Sequence, residues 1–255
     1  MIGIVGFGRF GRLMTRYLSR DFEVRVWDVE DQADAVRESG GRPVSLPDTC
    51  CCEVLILAVP ISALRALLVD IAPRLAAGTL VVDVCSVKAY PVRWMRDCLP
   101  GHVSILATHP MFGPDSAAES LRGCKVAVCP ERIDPRRLQN IKAYLEGRGL
   151  TVIETTPAEH DRQIAVSLAL THFIGRSLSE FGAEDKLIDT EGYRRLLHIL
   201  EVVENDTWQL FEDMHRYNPY AGQERRAFIS AMQSIAARLE EGAPPPGEAS
   251  LQVRG

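Results

Sequence analysis

The chain begins with an unbroken apolar run, "IGIVGFG", that ends in glycines and reads as a strand buried on both faces. "RFGRLMTRYLSRD" follows with helical spacing, and Leu13, Tyr17 and Leu18 fall on one side. "FEVRVWDVED" is a second strand ending in acids, and "EVLILAVP" is a third, apolar throughout. "SALRALLVDIAPRLAAG" returns to helical spacing, with Gly78 placed to cap its C-terminus. "TLVVDVCSVK", "VSILATHPMFGP", "CKVAVCP" and "LTVIETT" continue the strand series. Strands alternating with helical segments predict an α/β fold, a doubly wound parallel sheet with crossover helices.

After Thr156 the strand patterns stop. From "AEHDRQIAVSLALTHFIGRSLSEFG" to "FISAMQSIAARLEEG" the spacing is helical, with breaks near Gly182 and at "YNPYAG". Residues 1–155 are therefore expected to form the α/β domain and residues 156–242 an all-helical C-terminal domain. Residues 243–255 are proline-rich and polar, which predicts a disordered tail.

Gly6, Gly8 and Gly11 form G-x-G-x-x-G between the first strand and the first helix. That context makes it a dinucleotide fingerprint of the Rossmann type. One glycine permits the turn, one lets backbone approach a pyrophosphate, and one lets the helix pack on the sheet. The helix N-terminus then offers free N–H groups to the phosphates. Asp28 ends the second strand, roughly 20 residues past the glycines, where an acid accepts from the adenosine ribose. A carboxylate there repels a 2′-phosphate, so NAD is expected; Arg9 and Arg25 leave NADP possible. The candidate cofactor residues are Gly6, Phe7, Gly8, Arg9, Phe10, Gly11, Asp28, Val59, Pro60 and Ser86.

Composition narrows the class further. The 255 residues are 46% hydrophobic and 25% charged, as in an ordinary globular protein. A net charge of −5, with no long run of one sign, leaves no basic footprint for nucleic acid. No apolar run approaches the roughly 20 residues that span a bilayer. "MIGIVGFG" carries no basic leader, so a cytoplasmic protein with no membrane association is expected. The seven cysteines show no C-x-x-C spacing, which predicts reduced thiols and no metal site.

"HPMFGP" (109–114) is stiffened by two prolines and has an apolar middle. It ends one strand, as "DVCSVK" ends the strand before. In an open parallel sheet, ligands lie beyond the carboxyl ends of the strands. His109 and Ser86 are therefore the candidate catalytic pair, from successive strand ends.

The stretches "GFGRFGRL", "VDVCSVK", "THPMFGPDS", "AEHDRQIA", "ALTHFIGRSL" and "EGYRRLLHILEVVENDTWQLFEDM" resemble the TyrA family of prephenate and arogenate dehydrogenases. The resemblance implies NAD(P)-dependent oxidative decarboxylation of prephenate or arogenate in tyrosine biosynthesis, giving 4-hydroxyphenylpyruvate or tyrosine plus carbon dioxide. It implies that neutral His109 takes the substrate hydroxyl proton, and that Ser86 bonds the same hydroxyl or orients His109. Lys88 is either part of that motif's work or a surface or ion-pairing lysine. His172 matches a substrate-side histidine, while His160 matches a motif read as joining the domains. An arginine that grips the substrate side chain in many prephenate-specific members is missing; His198 or an apolar residue stands there, and Arg176, Arg194 and Arg195 are nearby. Asp206 matches an acidic position associated with arogenate preference; a helix cap is the competing account of it. The substrate-binding candidates are thus His172, Asp206, Arg176 and Arg194. The resemblance also implies a homodimer formed through the helical half. The alternatives are another NAD-dependent dehydrogenase or reductase of similar architecture, which would need a lysine on the second-domain helix, and a non-catalytic NAD-binding regulator.

Overall fold

Ile2–Val5 forms β1, and all four residues are buried, as a strand covered on both faces requires. The computed structural model describes residues 1–241; the expected tail at 243–255 lies outside the described residues. After β1 come α1 (Arg9–Leu18), β2 (Val24–Trp27), α2 (Ala33–Glu38), β3 (Arg42–Pro43), α3 (Leu46–Cys50), β4 (Val54–Leu57) and α4 (Ile61–Ile71). Then follow β5 (Leu80–Asp83), α5 (Ala89–Cys98), β6 (Ser104–Pro110), β7 (Lys125–Arg132), α6 (Pro135–Gly147) and β8 (Thr151–Glu154). The eight strands form one sheet in the order β3-β2-β1-β4-β5-β6-β7-β8. The order reverses between β1 and β4, so a crevice opens between their carboxyl ends. The Rossmann-type doubly wound sheet expected from the alternation is present.

Two local expectations are corrected. β7 runs antiparallel to β6, with His109 opposite Ala127, although the other pairs are parallel. Residues 111–124 contain turns and no helix, so the chain lacks the crossover element that a parallel return needs. Gly78 does not cap a helix: α4 ends at Ile71, and Gly78 sits at φ +82° in the turn before β5.

The core follows the period of two along the strands. Val5, Leu55, Leu57, Val81 and Ile105 pack on one face with Leu64 and Leu68 of α4 and Met95 of α5. Ile4, Val26 and Ile56 pack on the other, against Met14 and Leu18 of α1.

The change of character after Thr156 has a local cause. Thr156 accepts from the amide of Glu159, and Pro157 occupies the first helical position. α7 (Pro157–Ile164) leads through a π-helical segment, Ala165–Leu170, into α8 (Thr171–Phe181). Gly182, at φ +78°, ends α8. α9 (Glu191–Glu204), α10 (Trp208–Arg216) and α11 (Ala221–Glu241) complete the described chain.

Two carboxylates fasten this helical part to the sheet. Neither α4 nor α5 has a side-chain cap of its own. Asp213 of α10 accepts from the Ser62 amide at 3.0 Å and its hydroxyl at 2.9 Å. Asp161 of α7 accepts from the amides of Lys88 at 2.7 Å and Ala89 at 2.8 Å. Each acid meets the positive end of a helix dipole. No helix among the described residues is long and apolar enough to cross a membrane.

Candidate active site

The Gly-rich turn is shaped by contacts that only glycine allows. Gly6 sits at φ +99°, and a Cβ there would lie 2.3 Å from the Ala58 carbonyl oxygen. A Cβ on Gly11 would lie 2.1 Å from the Gly6 carbonyl, so α1 packs directly on the turn. At Gly8 a Cβ would meet nothing within 4 Å, because that backbone faces open space. α1 starts there with no side-chain cap and no acid in its first turn. A cleft of about 470 Å³ lies beside it, lined by Phe7, Gly8, Arg9, Arg12, Gln32 and Pro114 among others. A second hollow of about 260 Å³ surrounds Asp28, walled by Val26, Val36 and Val44. Open backbone, an uncapped helix end and an acid beyond β2 fit a dinucleotide.

Strand register brings the chemical groups to the same edge. Val5 of β1 pairs with Leu57 of β4, Leu57 with Asp83 of β5, and Asp83 with Ala107 of β6. Gly6, Val59, Pro60, Ser86 and His109 follow this row by one to three residues, so one sheet edge carries them all. Phe10 and Phe112 stand 6.0 Å apart between centroids, which ties "HPMFGP" to the first helix and accounts for its apolar middle.

Lys88 is fully buried, neither a surface residue nor free to reach a ligand. Its ammonium bonds the Asp83 carboxylate and donates to the Thr108 carbonyl at 2.5 Å. Thr108 in turn donates its hydroxyl to the Asp83 carbonyl at 2.7 Å. Removing either charge would strand the other in the core, at a cost of about 3–5 kcal/mol. The group locks the end of β5 to the residue before His109.

His109 is 6% exposed. Burial first, and then the repulsion a proton on His109 would meet from the adjacent His160 ring and the Lys88 ammonium, hold its imidazole well below the ordinary value of 6.5. It is therefore neutral at pH 7. Its Nδ1 lies 2.9 Å from Nε2 of His160, whose own Nδ1 lies 2.8 Å from Asp161. Ser86 makes no bond to His109; its hydroxyl oxygen is buried and has no partner among the described residues. The group that faces His109 Nδ1 is thus His160 and not the Ser86 hydroxyl. The motif "AEHD" was visible in the sequence, but nothing in it told that its histidine reaches His109.

Beyond His109 the helical part brings three more candidates together. His172 of α8 is 3% exposed, and its Nε2 lies 3.7 Å from the Asp206 carboxylate. Burial lowers its pKa, Asp206 opposes the shift, and Arg176 adds to it. Arg176 donates to the Asp206 carbonyl and stacks over the Trp208 ring. His172 Nδ1 and Arg176 Nε are buried without partners among the described residues. α8 and α9 cross closely because Gly175 has no side chain: a Cβ there would lie 2.6 Å from Val203. Asp206 is not a helix cap, because Thr207 caps α10 by accepting from the Leu210 amide. Arg9 reaches from the Gly-rich turn to the Asn205 carbonyl at 2.9 Å and forks onto Asp115.

Arg194 stands apart. Its side chain is 60% exposed and pairs with Asp189 at 3.1 Å. His198 is likewise exposed and faces Glu201. Among the described residues no cluster of three or more His, Cys, Asp or Glu could hold a metal ion.

The family model "Prephenate dehydrogenase, nucleotide-binding domain" matches residues 33–154, and "TYRAAT1-like, C-terminal domain" matches residues 177–244. The chain is 32% identical to arogenate dehydrogenase 2, chloroplastic, of Arabidopsis thaliana, covering 93% of this chain and 69% of that one. It is 33% identical to arogenate dehydrogenase 1 of the same plant, covering 93% of this chain and 39% of that longer one. In fold it resembles the prephenate dehydrogenase of A. aeolicus solved with hydroxyphenyl propionate and NAD+, with a TM-score of 0.73 at 20% identity. That match covers 93% of this chain and 91% of the other. With a relative this similar along most of both chains, the protein belongs to the prephenate and arogenate dehydrogenase family.

Proposed function

We propose that this protein oxidatively decarboxylates a cyclohexadienol, arogenate or prephenate, with NAD as the hydride acceptor. The observation that carries the proposal is His109. It is a neutral imidazole, held at the strand-end row beside the Gly-rich turn, with Nε2 unpartnered among the described residues. Ser86, with its unpartnered hydroxyl, is the second group for the substrate hydroxyl.

NAD, when bound, supplies the hydride acceptor. Gly8 and the N-terminus of α1 would hold its pyrophosphate, and Asp28 its ribose. Arg9 and Arg25 are already paired, with Asp115 and Glu23, which favours NAD over NADP. The ring carbon bearing the hydroxyl gives up its hydrogen as hydride, and the hydroxyl gives its proton to His109 Nε2. The bond to the ring carboxylate then breaks, its electron pair passes through the ring to the new carbonyl oxygen, and that oxygen takes back the proton held by His109, so that a phenol and carbon dioxide result. Holding that carbon in place is the main task of the site.

His172 and Arg176, each with an unpartnered buried nitrogen, are the donors for the substrate carboxylates. Asp206, free of capping duty, is the partner for the ammonium of arogenate, and we take arogenate as the preferred substrate. Both Arabidopsis relatives are named arogenate dehydrogenases. Arg194 has no part in this arrangement. Phe181, Leu187, Ile188, Met232 and Leu239 expose large apolar surface on the helical part. That surface supports a homodimer, and the composition supports a cytoplasmic protein.

The competing chemistry based on a second-domain lysine has no residue to use, since Lys186 is exposed and paired with Glu184. A non-catalytic binder would have no use for a neutral histidine and an unpartnered serine at the same sheet edge. The direct test is NADH formation from arogenate and from prephenate. NAD binding without turnover of either would overturn the proposal.

A further inference from the structure

We infer that His160 and Asp161 are positioning residues that fix the tautomer of His109 and so make its Nε2 the base. This rests on the proposal that His109 takes the hydroxyl proton.

Asp161 is fixed by donors from three residues. Its Oδ1 accepts from the Lys88 amide at 2.7 Å, and Oδ2 from the Ala89 amide at 2.8 Å. Asn218 donates to its backbone carbonyl at 2.9 Å. A carboxylate that caps a helix with both oxygens is an acceptor on every side and cannot rotate. The nitrogen facing it at 2.8 Å, Nδ1 of His160, must therefore carry a proton. In neutral His160 the other nitrogen, Nε2, is then an acceptor. It faces Nδ1 of His109 at 2.9 Å, so that nitrogen must donate. The lone pair of His109 is left on Nε2, which has no partner among the described residues and is not sealed from solvent. Each proton in the chain is placed by the acceptor before it.

The surroundings fit this assignment. His109 stands opposite Ala127 of β7, which carries no charge. The charged groups near it are the Lys88 ammonium on the Thr108 carbonyl, Asp83 beneath that ammonium, and Asp161 behind His160. When His109 gains the substrate proton, both of its nitrogens become donors, and the existing bond to His160 persists unchanged. Asp161 then stabilises the imidazolium through one intervening ring. A histidine that only joined two segments would tolerate either proton placement. Here the reverse placement would put a proton on the nitrogen that has to accept one.

The tautomer is measurable without turnover. Long-range 1H–15N correlation spectra of the full-length protein with 15N-labelled histidine, above pH 7, should show His109 protonated at Nδ1. His109→Asn identifies its signals. His160→Leu should move that proton to Nε2 or mix the two forms. It should also lower kcat by about 10²-fold, the scale of a misdirected general base, with KM and NAD binding within about twofold. His160→Gln can accept from His109 and donate to Asp161, so it should recover most of the rate. It also guards against misfolding of the leucine variant. Wild-type His109 protonated at Nε2 would overturn the inference, as would His160→Leu with unchanged tautomer and kcat. Full activity in His109→Asn would instead remove the underlying proposal, a separate outcome.

Discussion

The Asp28 carboxylate accepts the Phe7 amide at 2.5 Å, joining the end of β2 to the Gly-rich turn across 21 residues. Its other oxygen accepts from Glu30 at 2.9 Å. The acid is thus fixed where the ribose of a dinucleotide would lie, and it opposes a 2′-phosphate. Asp28→Ala should lower the NAD-to-NADP ratio of kcat/KM by about tenfold or more, the scale of a charged hydrogen bond. Arg12 and Arg16, which line the cleft beside the Gly-rich turn, are the cations that NADP would then use. A wild-type enzyme that prefers NADP would refute the assignment.

His109→Asn should bind NAD normally and lose at least about 10²-fold in kcat. An ordinary imidazole titrates near 6.5, and burial moves His109 lower. Neutral imidazole is the active form, so kcat/KM should stay level through pH 7 and fall only at pH well below 6.5. A drop centred at or above 6.5 would mean that another group controls the rate.

Asp206→Asn should shift selectivity from arogenate towards prephenate by roughly tenfold, because the ammonium loses a charged acceptor. The comparison is kcat/KM for both substrates in both proteins. Thr207 keeps its capping bond in this variant, so the helix start is preserved. Unchanged selectivity would leave Asp206 with a structural role only.

Three histidines should make folding sensitive to acid. His109, His172 and His215 are all lowered from 6.5, first by burial, and His215 falls to about 4. The unfolded chain binds these protons and the folded chain resists them. Their contribution is therefore complete above 6.5 and declines as pH falls, by at most about 1.4 kcal/mol per pH unit for each group. Melting temperature should drop between about pH 7 and about pH 5, and His109→Asn should flatten the slope. A flat wild-type profile would contradict these shifts.

Sedimentation at micromolar concentration should give about twice 28.3 kDa. Replacing Leu187 and Ile188, which are almost fully exposed, with serine should weaken association while leaving the monomer folded. A wild-type monomer would exclude a dimer formed through the helical part.

The sheet and the Gly-rich turn were legible because strand spacing and glycine placement are local signals. The direction of β7 was not, since strand spacing alone does not give strand direction. From sequence Lys88 reads either as part of the motif's work or as a surface or ion-pairing lysine; only the fold sets Asp83 beneath it. Arg194 sits among the candidate arginines in the sequence, yet its position on α9 sends it to Asp189. Asp161 escaped notice because its partners, the amides of Lys88 and Ala89, lie 73 and 72 residues earlier. Long-range capping of this kind leaves no pattern in a sequence.

Asp161 and Asp213 also suggest how related proteins can be recombined. Each acid completes a helix that begins on the other side of the junction, α5 and α4 respectively. A chimera that takes its nucleotide-binding half from one relative and its helices from another inherits two open helix ends unless the donor supplies both acids. Matching these two positions, more than matching the apolar residues around them, is the design rule for exchanging substrate halves on a fixed nucleotide-binding half.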